Sequence, residues 1–166
     1  VNLSARLESA TKQYGVAILI SEDFLRLMSK KAQECCRIVD RVTVKGSAKP
    51  MRLYTFDVPA CVSLGGTLQE SLDLKAIAPE DFFDLVPPET EKAYREEFHI
   101  AIDFYLGGAN GSEADWATAA VLLRQCLAKN PGDKLAEAIL SIITSKAQPD
   151  GAAPEGWPGY RALDEK

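Results

Sequence analysis

The sequence is poor in side chains that bind metals. It has one histidine, His99, and four cysteines, none of them in a C-x-x-C pair. Structural zinc sites need several closely spaced Cys or His ligands, so this pattern argues against one. We expect reduced thiols in an intracellular protein, and we expect His99 to be a partly buried or surface residue rather than a metal ligand. The cysteines are Cys35, Cys36, Cys61 and Cys126.

Long apolar runs are also missing. The longest aliphatic run is VAILI, residues 16–20, which is far shorter than a bilayer requires and is typical of a buried strand. The first residues carry no basic n-region, apolar h-region or small-residue cleavage site. The sequence therefore predicts neither a membrane segment in this chain nor a secretion signal.

An excess of basic charge is missing as well, since the formal net charge is −5. Residues 1–58 carry ten basic and six acidic side chains, whereas residues 59–166 carry nine basic and eighteen acidic ones. The basic bias of the first part is too small to indicate nucleic-acid binding. The asymmetry predicts two modules with different partners, an anionic ligand for the first and a protein partner for the acidic tail.

The first 58 residues begin with a helical pattern. Leu3, Leu7 and Ala10 form its apolar stripe, and Gly15 can take the left-handed conformation that ends a helix. A strand is predicted over residues 16–21. The sequence offers this strand no partner, so 58 residues look like half of a domain rather than an independent core.

A second helix and a hairpin complete this part. Ser21 is the predicted N-cap, with acidic residues in the first turn, where they favour the positive end of the helix dipole. Residues 38–45 and 51–58 alternate between apolar and polar side chains on either side of turn material, which predicts two hairpin strands. The expected buried face of the second helix consists of Phe24, Leu25, Leu27 and Met28.

The rest of the chain divides into three parts. Residues 59–88 are rich in Pro and Gly and are interpreted as a linker. Residues 89–146 predict three helices, and residues 147–166 an extended tail with Trp157 and Tyr160 as anchors. The spacing in WATAAVLLRQCLAKNP, which includes Trp116 and Leu123, is typical of the second helix of a tetratricopeptide repeat. An ordinary docked helical hairpin is the alternative, since only one repeat is visible.

Three stretches carry a family resemblance: VNLSARLES, YGVAILIS and DRVTVKGSAKPMRLYTFDV. Residues 1–58 resemble the C-terminal half of the class III nucleotide cyclase catalytic domain. The implied fold class is α+β: half of a ferredoxin-like cyclase domain (helix, strand, helix and β-hairpin), followed by an α-helical hairpin or tetratricopeptide-like tail. The predicted domain division is a cyclase half over residues 1–58, a linker over 59–88, a tetratricopeptide-like helical segment over 89–146 and an extended tail over 147–166.

The resemblance implies roles for three residues. Asn2 would orient the ribose of a nucleoside triphosphate, Arg6 would stabilise the phosphorus centre during attack by the 3′-hydroxyl, and Lys45 would bind the terminal phosphates. Asn2 and Arg6 are four residues apart, so they project from one helical face. Taken alone, Arg6 could equally be a solvated residue of an amphipathic helix, and Lys45 could protect a strand edge.

The resemblance also implies a cofactor and partners. The reaction would convert ATP or GTP to the cyclic 3′,5′-nucleotide and pyrophosphate with Mg²⁺ or Mn²⁺, bound by residues outside this chain. A second cyclase catalytic domain, in a homo- or heterodimer, would complete the site, so this chain alone is expected to be inactive. The alternative is a non-catalytic cyclase-like module that docks in a larger assembly. The resemblance implies a cytoplasmic, intracellular location, and likeness to long cyclases with such a tail, which are common in flagellated protists and algae, adds a cilium or flagellum as an alternative.

Overall fold

A computed structural model of the chain describes residues 3–44, 49–56, 89–107 and 113–163. Over these ranges the fold is mixed α+β, with six helices and a four-stranded sheet in the order β1-β3-β2-β4. The predicted linker, residues 59–88, lies outside the described residues. The elements are α1 (Leu3–Tyr14), β1 (Ile20–Ser21), α2 (Glu22–Leu25), α3 (Lys30–Glu34), β2 (Cys36–Val44), β3 (Met51–Phe56), α4 (Glu89–Leu106), α5 (Trp116–Lys129), α6 (Lys134–Lys146) and β4 (Arg161–Leu163).

Helix α1 forms as predicted, but it buries a different face. Its buried residues are Arg6, Ala10 and Tyr14, while Leu3 is 37% exposed. Residues four apart share one helical face, so the buried stripe is rotated relative to the predicted one. Gly15 ends the helix at φ 66°, which confirms the predicted left-handed cap.

Gly15 also brings the end of α1 against the start of α6. A Cβ added to Gly15 would lie 2.4 Å from Cβ of Lys134, which is far inside van der Waals contact. The absence of a side chain therefore serves two purposes, because it permits the positive φ and lets the two helix ends touch.

The first strand is shorter than predicted and does have a partner. Only Ile20–Ser21 enter the ladder, and they pair antiparallel with Leu53 and Tyr54 of β3. The expectation that this strand lacks a partner within the chain is therefore wrong.

The segment after β1 forms two short helices rather than one. Ser21 caps α2 as predicted, accepting from the Phe24 amide, and Ser29 caps α3 by accepting from the Ala32 amide. This second cap starts a new helix. Phe24 is 58% and Leu27 83% exposed, so the predicted buried face of this segment is wrong for both residues.

The predicted hairpin is confirmed by the antiparallel pairing of β2 with β3. The register shifts between Ile38 and Asp40, which identifies a bulge at Val39. All three of these residues are buried, although strict alternation would send Val39 to the opposite face. The start of β2 is covered on both sides because α1 and α4 also contact this strand.

The three helices of the tail form close to their predicted bounds. Helices α4 and α5 pack against each other, and α5 packs against α6. An aromatic cluster joins them to the end of the chain: the indole nitrogens of Trp116 and Trp157 both donate to the Tyr105 carbonyl oxygen, at 2.9 and 3.2 Å. The predicted anchoring role of Trp157 is confirmed, whereas the tetratricopeptide assignment stays a prediction.

The last described strand, β4, connects the sheet of the first part of the sequence to its C-terminal part. Val42, Thr43 and Val44 of β2 pair in parallel with Arg161, Ala162 and Leu163 of β4. One hydrophobic cluster contains residues from α1, the sheet and all three tail helices. The described residues before position 57 and after position 88 therefore share a core.

Candidate functional site

The structure describes one of the three predicted site residues. Arg6 lies on the buried face of α1 and is 7% exposed, so the alternative of a solvated helix-face residue is wrong. Asn2 and Lys45 lie outside the described residues, and their positions relative to Arg6 stay a prediction. Helix α1 contacts β2 and α6, which places the face that carries Arg6 toward the sheet and the tail.

A buried carboxylate, Asp40, holds the far end of α1. Asp40 is completely buried and accepts hydrogen bonds from the Tyr14 hydroxyl at 2.7 Å, from Nε of Arg161 at 2.6 Å and from the Arg41 amide at 2.7 Å. The Arg161 guanidinium also lies over the Tyr14 ring, 5.1 Å from its centroid. The carboxylate therefore links α1, β2 and β4 through one buried group.

The electrostatics of this cluster favour a structural role. Burial raises the pKa of Asp40, while the Arg161 guanidinium and the hydrogen bond from Tyr14 oppose that rise. Burial, and then the neighbouring Asp40, raise the pKa of Tyr14 well above its ordinary value. Tyr14 is thus a hydrogen-bond donor rather than a base. Both oxygens of Asp40 accept hydrogen bonds from neighbouring groups, which favours a structural role over acid–base catalysis.

A second buried ion pair joins β2 to the start of α6. Both terminal nitrogens of Arg37 donate to the carboxylate of Asp133, one of them at 3.3 Å, and the Tyr94 hydroxyl donates to it as well. Asp133 also caps α6, accepting from the Leu135 and Ala136 amides at 3.1 and 3.2 Å.

The charges of this pair are strongly shielded. The two side chains are 8% and 3% exposed, and the Arg37 guanidinium lies 4.5 Å from the centroid of the Phe98 ring, a favourable cation–π contact. Burial would raise the pKa of Asp133, but the charge of Arg37 and the hydrogen bonds lower it below the ordinary value. Asp133 is therefore ionised in the folded protein at neutral pH.

A cavity of about 200 Å³ lies beside this ion pair. It is smaller than typical ligand pockets of about 300–1,000 Å³. Its lining includes Gly15, Arg37, Thr55, Asn130, Asp133 and Lys134.

His99 has a role that sequence reasoning did not assign. Its Nε2 accepts a hydrogen bond from the Ile38 amide at 3.1 Å, so this side chain of α4 satisfies a backbone donor beside the β2 bulge. Burial, and then the nearby Arg37 charge, lower the pKa of His99. Within the described ranges, no group of three or more His, Cys, Asp or Glu side chains could hold a metal ion.

The stability of the protein is expected to fall as the pH drops through the range in which His99 titrates. In the unfolded chain, the pKa of His99 is close to the ordinary value of about 6.5, whereas its pKa in the folded protein is lower. The contribution of neutral His99 to the free energy of unfolding is therefore present above pH about 6.5 and is lost as the pH falls through the folded pKa. Urea midpoints between pH 7.5 and 5 measure the effect.

The matched control is His99→Gln, whose amide oxygen still accepts but does not titrate there. His99 is the only histidine of the chain. Subtracting the pH dependence of the variant's urea midpoint from that of the parent therefore removes the contribution of the carboxylates, including Asp40. The same pH dependence in both proteins would contradict the lowered pKa of His99.

Comparison with known proteins gives a local similarity. An adenylate cyclase from Anabaena cylindrica is 40% identical over 55 residues, a stretch that makes up 32% of this chain and 11% of that protein. The matched part thus spans about a tenth of the length of this relative. No model of a protein family matches the chain, and no solved structure matches it. No helix of the described residues is long and apolar enough to cross a membrane.

Proposed function

We propose that the chain is the C-terminal part of a nucleotide cyclase that converts ATP or GTP to the cyclic 3′,5′-nucleotide and pyrophosphate. The observation that carries the proposal is the 40% identity to an adenylate cyclase over 55 residues. The positions of Asn2, Arg6 and Lys45 in the stretches that resemble the cyclase family support it from the sequence. As in the family that residues 1–58 resemble, a second cyclase domain completes the site.

The proposed chemistry is a displacement at phosphorus. The 3′-oxygen of the nucleotide forms a bond to the α-phosphorus, the bond to the pyrophosphate oxygen breaks, and the hydroxyl proton is released to solvent. Arg6 supplies a permanently charged, planar fork that binds the oxyanion in two places. Such an interaction is stronger when the bound substrate excludes water from the site.

Two further groups have supporting roles in the proposal. Asn2 orients the ribose, and Lys45 offers a point charge to the terminal phosphates. The resemblance assigns Mg²⁺ or Mn²⁺ to the reaction, with ligands outside this chain. The described residues do not supply a ligand set for this ion.

The proposal predicts a large effect of Arg6→Ala on the full-length natural protein. The cyclisation rate kcat is expected to fall by about 10²–10³-fold, the usual consequence of removing one oxyanion-stabilising donor. The assay measures cyclic nucleotide and pyrophosphate with Mg²⁺ or Mn²⁺, and with ATP and GTP separately, which also identifies the base.

The matched control is Arg26→Ala. Arg26 is exposed, and its ion pair with Glu22 is on the surface, so this variant is expected to keep the rate of the parent. Absence of turnover with either nucleotide, in folded and dimeric parent protein, would refute the enzymatic function. Equal losses in both variants would refute the role of Arg6.

The burial of Arg6 favours a second candidate function. In the described arrangement protein covers this guanidinium, so a phosphate reaches it only after that cover moves. A non-catalytic cyclase-like module, serving as a docking part of a larger assembly, needs no such movement. The same assay separates the two candidates, because the docking module would show no turnover.

A further inference from the structure

The cavity of about 200 Å³ beside the Arg37–Asp133 pair has an open mouth and a polar floor. Exposed residues form the mouth, among them Asn130 and Lys134 from the segment that leads into α6. Buried residues of the two central strands form part of the floor, namely Arg37 of β2 and Thr55 of β3. A small solute can therefore enter the cavity from the solvent and meet polar groups that are shielded from water.

The Thr55 hydroxyl indicates that the cavity has an occupant. Thr55 is 2% exposed and lies directly opposite Arg37 in the β2–β3 ladder, so the two side chains share one face of the sheet. On that face Arg37 meets Asp133 at the start of α6. Among the residues that the structure describes, the Thr55 hydroxyl has no hydrogen-bond partner, and a shielded hydroxyl without a partner costs free energy.

The charges around the cavity favour an anion. Arg37 and Lys134 contribute two positive charges and Asp133 one negative charge, which gives the lining a balance of +1. The Asp133 carboxylate already accepts five hydrogen bonds from protein groups, so its charge is neutralised from within. The Lys134 side chain is 64% exposed and pairs with Glu137 only at the surface, which leaves its ammonium free to turn toward the mouth.

The first turn of α6 adds a backbone donor. Lys134 is the first residue of this helix, so its amide has no acceptor within the helix. Asp133 takes up the next two amides, those of Leu135 and Ala136. The positive end of the helix dipole also favours an anion near this turn. Donors thus face the cavity from β3 on one side and from α6 on the other.

We propose that this cavity binds a small oxyanion of the phosphate class, held by the Thr55 hydroxyl and by the amide and ammonium groups of Lys134. The volume of about 200 Å³ suits such a ligand, because pockets for larger organic molecules usually exceed it. The bound oxyanion bridges β3 and α6 and so strengthens the attachment of the tail to the sheet. The inference does not rest on the proposed cyclase reaction, since it uses none of the residues assigned to that reaction.

The test measures equilibrium binding of inorganic phosphate to the full-length natural protein, at constant ionic strength with chloride as the balancing anion. We expect saturable binding that weakens about tenfold or more in Thr55→Val, which keeps the shape of the side chain and removes a donor to a charged acceptor. In Lys134→Met we expect a loss of about fivefold, as for one exposed charge pair. The matched control is Lys129→Met, which removes an exposed surface pair with Glu97 and is expected to bind as the parent does.

Arg6→Ala shows where the phosphate binds, because Arg6 is itself proposed to contact phosphate in the cyclase reaction. Weaker binding in Thr55→Val and Lys134→Met, with parental affinity in Lys129→Met and Arg6→Ala, supports the cavity site whether or not the protein is a cyclase. Binding that weakens in Arg6→Ala and not in Thr55→Val refutes it.

Two other results also refute the site. One is the absence of saturable binding up to about 10 mM phosphate, beyond the range of a specific weak site. The other is equal weakening in Lys134→Met and Lys129→Met, which would show only a general effect of charge. If Thr55→Val fails to fold, the comparison of these two lysine variants decides, because both side chains are exposed.

Discussion

Replacing Asp133 with Ala is expected to lower the free energy of unfolding by about 3–5 kcal/mol, the usual result of removing one partner of a buried ion pair. The Arg37 guanidinium would stay buried without its carboxylate, and the Tyr94 hydroxyl would lose its acceptor. The N-cap of α6 would be lost as well. Urea unfolding followed by the fluorescence of Trp116 and Trp157 measures the change.

Asp115→Ala is the matched control for this experiment. Asp115 caps the neighbouring helix α5 by accepting from the Thr118 amide at 2.9 Å, but it is exposed. Its loss is expected to cost only about 1 kcal/mol, the usual value of an N-cap. The difference between the two variants measures the contacts of Asp133 with Arg37 and Tyr94 together. Equal losses would show that these two contacts contribute nothing beyond the cap.

The pH dependence of this group has a defined sign. Since the pKa of Asp133 is lowered in the folded protein, its stabilisation is present above the ordinary pKa of about 3.9 and is lost as the pH falls through the folded value. Asp133→Ala should therefore be less sensitive to acid than the parent.

Asp40→Ala is the second substitution with a large expected effect, again about 3–5 kcal/mol. Asp40 is fully buried, and its removal leaves Arg161 without its counter-charge and Tyr14 without its acceptor. Most of the expected loss of stability comes from burying Arg161 and Tyr14 without a partner, and less of it from the lost attraction between Asp40 and Arg161. Two side chains on opposite sides of Asp40 in the sequence, Tyr14 26 residues before it and Arg161 121 residues after it, would thereby be shown to depend on one carboxylate.

A double-variant cycle tests that explanation. Adding Arg161→Met to Asp40→Ala removes the uncompensated charge, so the double variant should be more stable than the sum of the single losses predicts, by about 0.5–3 kcal/mol. Thermal and urea unfolding of the four proteins give the coupling energy. Strict additivity would mean that the contact between Asp40 and Arg161 contributes nothing to stability. Asp40 would then stabilise the fold only through its hydrogen bonds with Tyr14 and the Arg41 amide.

Local signals predicted the elements of the fold well. The hairpin follows from alternation, the three tail helices from their apolar spacing, and the caps at Ser21 and Gly15 from the chemistry of those residues. Each of these signals lies within a few residues of the feature it predicts. That locality also explains the error at Phe24 and Leu27, because apolar character alone does not say whether another surface is present to cover a side chain.

Long-range contacts could not be predicted from one sequence. Nothing near Arg161 indicates a three-residue strand, since so short a segment has no period, and its partner Asp40 is 121 residues away. Arg37 and Asp133 are separated by 96 residues. The burial of Arg6 could not be predicted from the leucine stripe of α1, because the helix buries the face that carries Tyr14, and Tyr14 is held by Asp40 of β2 and lies under Arg161 of β4.

The pairing of Asp40 with Arg161 has a consequence for synthesis on the ribosome. The counter-charge emerges 121 residues after the carboxylate, which at about 5–20 residues per second is a delay of roughly 6–24 seconds. Until Arg161 emerges, Asp40 has only Tyr14 and the Arg41 amide as described hydrogen-bond donors, and burial of its charge without a counter-charge is costly. The nascent hairpin is therefore expected to be less stable during that interval than after β4 has paired with β2.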